Sequence, residues 1–260
     1  MNRTTVWTAV AGIAAGACAL GAPVHAAPAQ ADAYTVTASI NKTVAIGKED
    51  VLKVRGRVTP KAAGQKVVLQ QRVDGKRKWR PSGTATIKRN GTYKLQDDPS
   101  TPGTREYRVL KPASKGIAKG FSKTLTVEVY SWQRLVDRQP VATNVNVPTG
   151  VNIGAEFYGH SIATATLGAA SSIEYTLGRK CTEMRATYAL TDESVTGATG
   201  TVKVTGDGAV LVDHALAVGT VFAGETVDLT GVFRLRIDAT RSETPAGTVA
   251  VATPEVLCTR

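Results

Sequence analysis

Few residues in this 260-residue chain are of the kinds that do covalent chemistry, and their spacing argues against most of it. Gly159-His160-Ser161-Ile162-Ala163 comes within one residue of the nucleophile elbow G-x-S-x-G, the strained strand-to-helix turn that presents a serine to its base. The elbow needs a helix after the serine, whereas the Thr- and Gly-containing segment that follows leads toward another strand. An acid and a base must also follow, but the only later histidine, His214, sits directly after Asp213, a poor arrangement for a carboxylate orienting an imidazole. A cysteine transpeptidase using His160 or His214 with Cys258 and Arg260 would need a reactive thiol. Metal chemistry would need ligands that three histidines, without His-x-x-x-His or Cys-x-x-Cys spacing, do not supply. Glycoside cleavage would need carboxylates paired across space, which no local pattern marks. The residues therefore predict a protein that is not an enzyme and has no metal or cofactor; a structural calcium in the second half is the alternative, though no dense Asp/Asn loop marks it.

Charge is more informative than nucleophiles. From Asp32 to Tyr130 there are 21 Lys and Arg against 8 Asp and Glu, a net of +13; from Ser131 to Arg260 there are 10 against 13, a net of −3. With Arg3 these make the whole-chain +11, so the basic character belongs to one half. A field of that size draws a protein to polyanions such as cell-wall teichoic acids, anionic glycans, lipid headgroups or nucleic acid. Its sharpest point is Lys76-Arg77-Lys78-Trp79-Arg80, where Lys76, Arg77, Lys78 and Arg80 are the candidate polyanion contacts. Lys111, Lys115 and Lys119 form a second basic loop. Nucleic acid is the weakest of these partners, because the cationic strands lack the interleaved aromatic platform of single-strand binders. The bland alternative is that Lys and Arg simply solvate outward strand positions.

The compartment follows from the first residues. Arg3, the apolar and small-residue run from Val6 to Leu20, and Val24-His25-Ala26 before Ala27-Pro28 read as a secretory signal peptide over 1–26, with Ala31 as a second cleavage position. The mature chain is expected to be secreted. Cys18 offers a lipid-anchored surface form as a minor alternative, although Ala15-Gly16-Ala17 lacks the usual aliphatic residue. No later run of 18 apolar residues could cross a membrane. Cys181 and Cys258 then remain as the only cysteines in an oxidising compartment, and a single disulfide between them is expected.

The elements that must position these residues are strands. Tyr34, Val36 and Ala38 alternate with Thr35, Thr37 and Ser39; Leu52, Val54 and Gly56 alternate with Lys53, Arg55 and Arg57. Asp74-Gly75, Asn90-Gly91 and Pro102-Gly103 punctuate such runs with tight turns. About seven short strands over residues 34–130 predict an antiparallel β-sandwich. In the second half, Ile173, Tyr175 and Leu177 share a face, as do Met184, Ala186, Tyr188 and Leu190, and Phe233, Leu235 and Ile237 are expected to point inward. Gly206-Asp207-Gly208 turns a hairpin, and no helical period lasts more than a few residues, so 131–260 predicts a second sandwich of jelly-roll type. The chain is thus expected to be all-β.

Two resemblances add to this reading. Gly56-Arg57-Val58-Thr59-Pro60, Val67 to Gln70, Trp79, Gly91-Thr92-Tyr93 and Tyr107-Arg108-Val109 resemble bacterial Ig-like or fibronectin type III-like repeats, which places Trp79 and Tyr93 in a core or at a corner. Ile153-Gly154, Tyr158 to Ile162, Ser172 to Leu177, Met184 to Leu190 and Val227 to Asp238 resemble the NPCBM family of carbohydrate-binding modules attached to secreted glycosidases. The chain departs from that family at Ala163-Thr164-Ala165-Thr166, where a glycine-rich segment often runs into a histidine. The resemblance implies a galactose-binding-like jelly roll and a glycan or cell-wall polymer as partner. Sugars need an aromatic face and a few polar groups, and Trp132, Tyr158, His160, Arg179 and Asp207 are the candidates. The expected function is non-catalytic glycan binding, with the basic Ig-like half attached to an anionic envelope or serving as a spacer. The alternative is a structural or adhesive extracellular protein without a working sugar site.

Overall fold

Alternating burial runs through almost every segment of the computed structural model, which describes residues 32–167 and 169–260. The signal peptide over 1–26, the alternative cleavage at Ala31 and the lipid anchor at Cys18 lie outside the described residues. The described chain is all-β, with one three-residue 3-10 turn, Leu135–Asp137.

The first nine strands are β1 (Thr35–Ile40), β2 (Val44–Ile46), β3 (Leu52–Thr59), β4 (Lys66–Val73), β5 (Arg80–Thr86), β6 (Thr92–Asp97), β7 (Gly103–Lys111), β8 (Gly120–Phe121) and β9 (Leu125–Arg134). β1, β3 and β6 form one sheet; β5, β4, β7 and β9 lie side by side in the opposing one, with β2 parallel to β9. The inward residues of the two layers, including Leu52, Val54, Leu69, Tyr93, Tyr107, Val109 and Val127, make one buried cluster. Tyr93 is held there as the Ig-like resemblance implies, its hydroxyl donating to the Thr37 carbonyl across Gly56. Trp79 corrects the core half of the same expectation. It is half-buried outside the core, with the Arg72 and Arg108 guanidinium carbons 4.8 and 4.2 Å from its ring centre. Cations on the outer sheet face can cover an indole as well as a core can, so an aromatic in a basic connection between strands need not point inward.

The remaining strands are β10 (Pro140–Thr143), β11 (Val145–Ile153), β12 (Glu156–Thr164), β13 (Ser171–Thr176), β14 (Cys181–Leu190), β15 (Thr199–Gly206), β16 (Ala209–Ala217), β17 (Val221–Asp228), β18 (Arg234–Arg241) and β19 (Val249–Cys258). β10-β13-β18-β15-β16 is one sheet, and β17, β14, β19, β12 and β11 build the other. Ile173, Tyr175, Leu177, Met184, Tyr188, Leu235 and Ile237 meet between them. Phe233 does not: it is 39% exposed, just before β18 begins, with the Arg179 guanidinium 5.5 Å from its ring centre. Asp207 and Gly208 form the β15–β16 turn, both with positive φ (50° and 88°), the backbone a two-residue hairpin requires.

β9 joins the two cores. Its Leu125–Val129 part pairs with β7, and its Ser131–Arg134 part pairs with the end of β19. One edge of β19 therefore serves two partners, β12 at Ala250 and Val251 and β9 at Glu255 to Cys258, while β14 lies along the other edge. Cys181 and Cys258 are opposite one another in the β14–β19 register, 4.0 Å apart at Cα, and form the disulfide.

Candidate carbohydrate site

The strand register gathers polar side chains beside Trp132. Across β14, β19 and β9, Arg185 stands opposite Glu255 and Glu255 opposite Arg134, which puts the three in a row on one face. Trp132, two residues before Arg134, shares that face because side chains in a strand alternate. The Arg185 guanidinium lies 4.0 Å from the indole centre and donates to Glu255 Oε2 at 2.6 and 2.8 Å. Trp132, Gln133, Arg134, Asp137, Arg138, Glu255 and Arg260 border an open cavity of about 690 Å³.

The 3-10 turn after β9 anchors one side of this cavity by burying Leu135 and Val136, leaving Asp137 exposed. Arg138 follows, donating through Nη2 to Gln133 Oε1 at 2.8 Å and to the Arg260 carbonyl at 2.6 Å. Burial pushes its guanidinium down from its ordinary pKa, and its Nε is buried with no hydrogen-bond partner. The site thus offers an indole, two carboxylates, an amide and several guanidinium groups at a shallow surface. Planar polar groups of both signs can donate to and accept from hydroxyls, and an indole can take the apolar face of a ring.

The other sequence candidates are not at this cavity. Tyr158 and His160 lie on β12, both half-buried. Tyr158 packs against Val151, Ile153 and a run of buried alanines on the outer sheet face, and its hydroxyl donates to Glu156 Oε2 at 3.0 Å. Burial, then the Glu156 carboxylate, raises the pKa of that phenol. Arg179 and Asp207 come together at one end of the sandwich, around Phe233. The Arg179 guanidinium lies 5.5 Å from the Phe233 ring centre, and Asp207 accepts the Phe233 and Arg234 N–H groups at 2.9 and 2.8 Å. Those two backbone hydrogen bonds hold the Asp207 carboxyl below its usual range.

The segment Gly159 to Ala163 lies within β12, and Ser161 is fully buried, its hydroxyl donating to the Tyr158 carbonyl at 3.1 Å. His214 hydrogen-bonds Glu225 at 2.6 Å and stacks on Phe222, while Asp213 pairs with Lys203. Asp213 and His214 therefore face opposite sides of β16, and neither approaches Ser161 as an orienting acid or a base would.

On the basic half, Lys76, Arg77, Lys78 and Arg80 do converge. With Gln71, Arg72, Val73, Ser100, Thr101 and Arg105 they line a second cavity, of about 600 Å³, between the β4–β5 hairpin and the loop before β7. Sequence reasoning missed Arg105, although it had a signal: Arg105 occupies an inward position of β7, in phase with Tyr107 and Val109. It also missed Glu255 and Arg260 beside Trp132, which nothing local connects to residue 132.

Residues 128–250, just under half of the chain, match the NPCBM/NEW2 domain family, a carbohydrate-binding type of module and not a catalytic one. The module suggests carbohydrate binding and a glycan partner. The match begins within β9, includes Trp132 to Arg138, and stops before Glu255 and Arg260. No curated protein matches the chain. Among the described residues, no helix is long and apolar enough to cross a membrane.

Proposed function

We propose that the chain is a secreted, non-catalytic glycan-binding protein of two modules, a basic Ig-like sandwich over 34–130 and a jelly-roll sandwich over 131–260. The cavity beside Trp132 receives the sugar, and the basic module holds the protein to an anionic cell envelope. The observation that carries this reading is that cavity: it lies at the start of the NPCBM/NEW2 segment and combines an indole with carboxylate, amide and guanidinium groups. Recognition would be shallow. The indole takes one ring face, while Asp137, Glu255, Arg138 and Arg260 select hydroxyl positions.

Glycan-array binding of the full protein tests it. Wild type should retain at least one sugar class, and Trp132→Ala should lose it while still unfolding in one cooperative transition, at a melting temperature lowered by the lost Arg185 contact. Retention that survives Trp132→Ala would move the site elsewhere in the module.

The structural or adhesive alternative is favoured by one observation, the Arg185 guanidinium stacked on Trp132, which shows the indole already in use within the fold. A wild-type protein that retains no neutral or anionic sugar would leave that alternative standing.

A further inference from the structure

The cavity on the basic half has the composition of a specific site. No Asp or Glu lines it. The nearby carboxylates are engaged elsewhere: Glu106 by Arg72, which holds its carboxyl below the usual range, Asp74 by Arg260 at 2.8 Å, and Asp97 by the Tyr107 hydroxyl, which donates to it at 2.6 Å. Among the described residues, Lys76, Arg77, Lys78, Arg80 and Arg105 make no ion pair.

Arg105 is the second, independent sign. It is 6% exposed, and its Nη1 and Nη2 donate to Gln71 Oε1 at 2.6 Å and the Thr101 carbonyl at 3.0 Å, while its Nε is buried without a partner. A buried guanidinium held only by neutral acceptors is costly, because its charge has left water without meeting an opposite one. An anion in the cavity would supply that charge.

We propose that this cavity is a phosphate site that takes one repeat of a phosphodiester-linked polyol or sugar polymer, with Arg105 in its buried wall and Lys76, Arg77, Lys78 and Arg80 around it. The inference rests on the polyanion reading of the basic module and narrows it from a diffuse field to one place. Phosphate suits the donors: its oxygens point in several directions, as do a fixed guanidinium and flexible lysines, and arginine forks match its edges. The volume exceeds that of a phosphate group and leaves room for the polyol or sugar on either side. A nucleic acid fits less well. No aromatic lines the cavity, and the neighbouring Trp79 ring is covered by Arg72 and Arg108, so there is no free platform on which a base could stack.

The test is calorimetric titration of the full protein with a defined glycerol-phosphate oligomer at physiological ionic strength. Lys76→Gln/Arg77→Gln/Lys78→Gln should weaken binding by about 30-fold or more, since charge-assisted contacts are individually large. The control Lys53→Gln/Arg55→Gln/Lys94→Gln removes the same charge from exposed positions of β3 and β6 and should weaken binding by less than about threefold through the screened field alone. Arg105→Lys keeps the charge and loses the fork, and should cost roughly tenfold. If that variant does not fold, the hairpin triple variant still decides. Equal losses in the two triple variants would overturn the discrete site while leaving polyanion attachment intact. Equal or tighter binding of polygalacturonate or oligothymidylate would overturn the phosphodiester-polyol assignment. A wild type that binds none of the three polymers would overturn the polyanion reading itself.

Discussion

Asp207 shows how a side chain that looks like a ligand can be committed to the fold. As a polar group near a loop it is a candidate for a sugar hydroxyl, but both its oxygens accept backbone N–H groups, those of Phe233 and Arg234 at the entry to β18. Its pKa is depressed in the folded state, so its contribution to stability is present above the unfolded value and is lost as pH falls through the folded one. Asp207→Asn tolerates the same positive φ and removes only the charge. The denaturant midpoint of that variant should fall below wild type at pH 7, and the gap should close as pH drops under the ordinary carboxylate value of about 3.9. A gap of equal size at pH 7 and pH 2.5 would show that the carboxylate charge contributes nothing. At this scale little of the site was legible: Trp132 could be named as an aromatic near a boundary, but its cover by Arg185, 53 positions later, could not.

Elements were far more legible, because alternating burial is a local property. β1 and β3 appear where period-two runs predict them, since each places one face in a core. β14 is harder to read, as Thr187 to Leu190 are buried on both faces: Tyr188 and Leu190 enter the main core, and Ala189 lies beneath the β11–β12 hairpin. Gly56 marks a close approach within β3. A Cβ there would sit 1.8 Å from the Thr37 carbonyl oxygen and 2.4 Å from the Tyr93 hydroxyl. Gly56→Ala should therefore destabilise the protein by about 2–4 kcal/mol, read from chemical denaturation. A change under about 0.5 kcal/mol would mean that β1 and β3 can separate freely at this point. The disulfide belongs to this scale too. It closes 77 residues between β14 and β19, worth about 4 kcal/mol in the chain-entropy model. Cys181→Ala/Cys258→Ala should cost about that much. Thiol-reactive labelling of the unfolded, unreduced protein should find no free cysteine at either position.

For the whole molecule, the unequal charge of the two halves predicts a distinct response to salt. If the basic half attaches the protein to an anionic envelope, binding to isolated cell walls should weaken steeply as ionic strength rises from about 0.05 to 0.5 M, because the Debye length shrinks over that range. Sugar retention through the Trp132 cavity should change far less, as it depends on hydroxyl contacts and stacking. Envelope binding that is indifferent to salt would remove the electrostatic role. The two halves are also mechanically linked. β9 belongs to both sheets and Arg260 reaches Asp74, so the basic cavity and the Trp132 cavity are carried on one continuous strand system and not on a slack tether.

Several features follow from the order of residues alone: the strands, the all-β class, the division of charge and the pairing of Cys181 with Cys258. Periodicity and composition act over a few neighbouring positions, and of the three cysteines only Cys181 and Cys258 lie beyond the leader-like first 26 residues, which leaves one way to pair. Which strands lie side by side is a different matter. Only the tertiary structure brought β19 against β9, and with it Glu255 and Arg260 to Trp132; only it put Arg105 behind the Lys76 hairpin with an unpartnered Nε. Lateral pairing joins segments more than a hundred residues apart, and a local hydrophobic pattern says which face of a strand is buried but not which neighbour it meets.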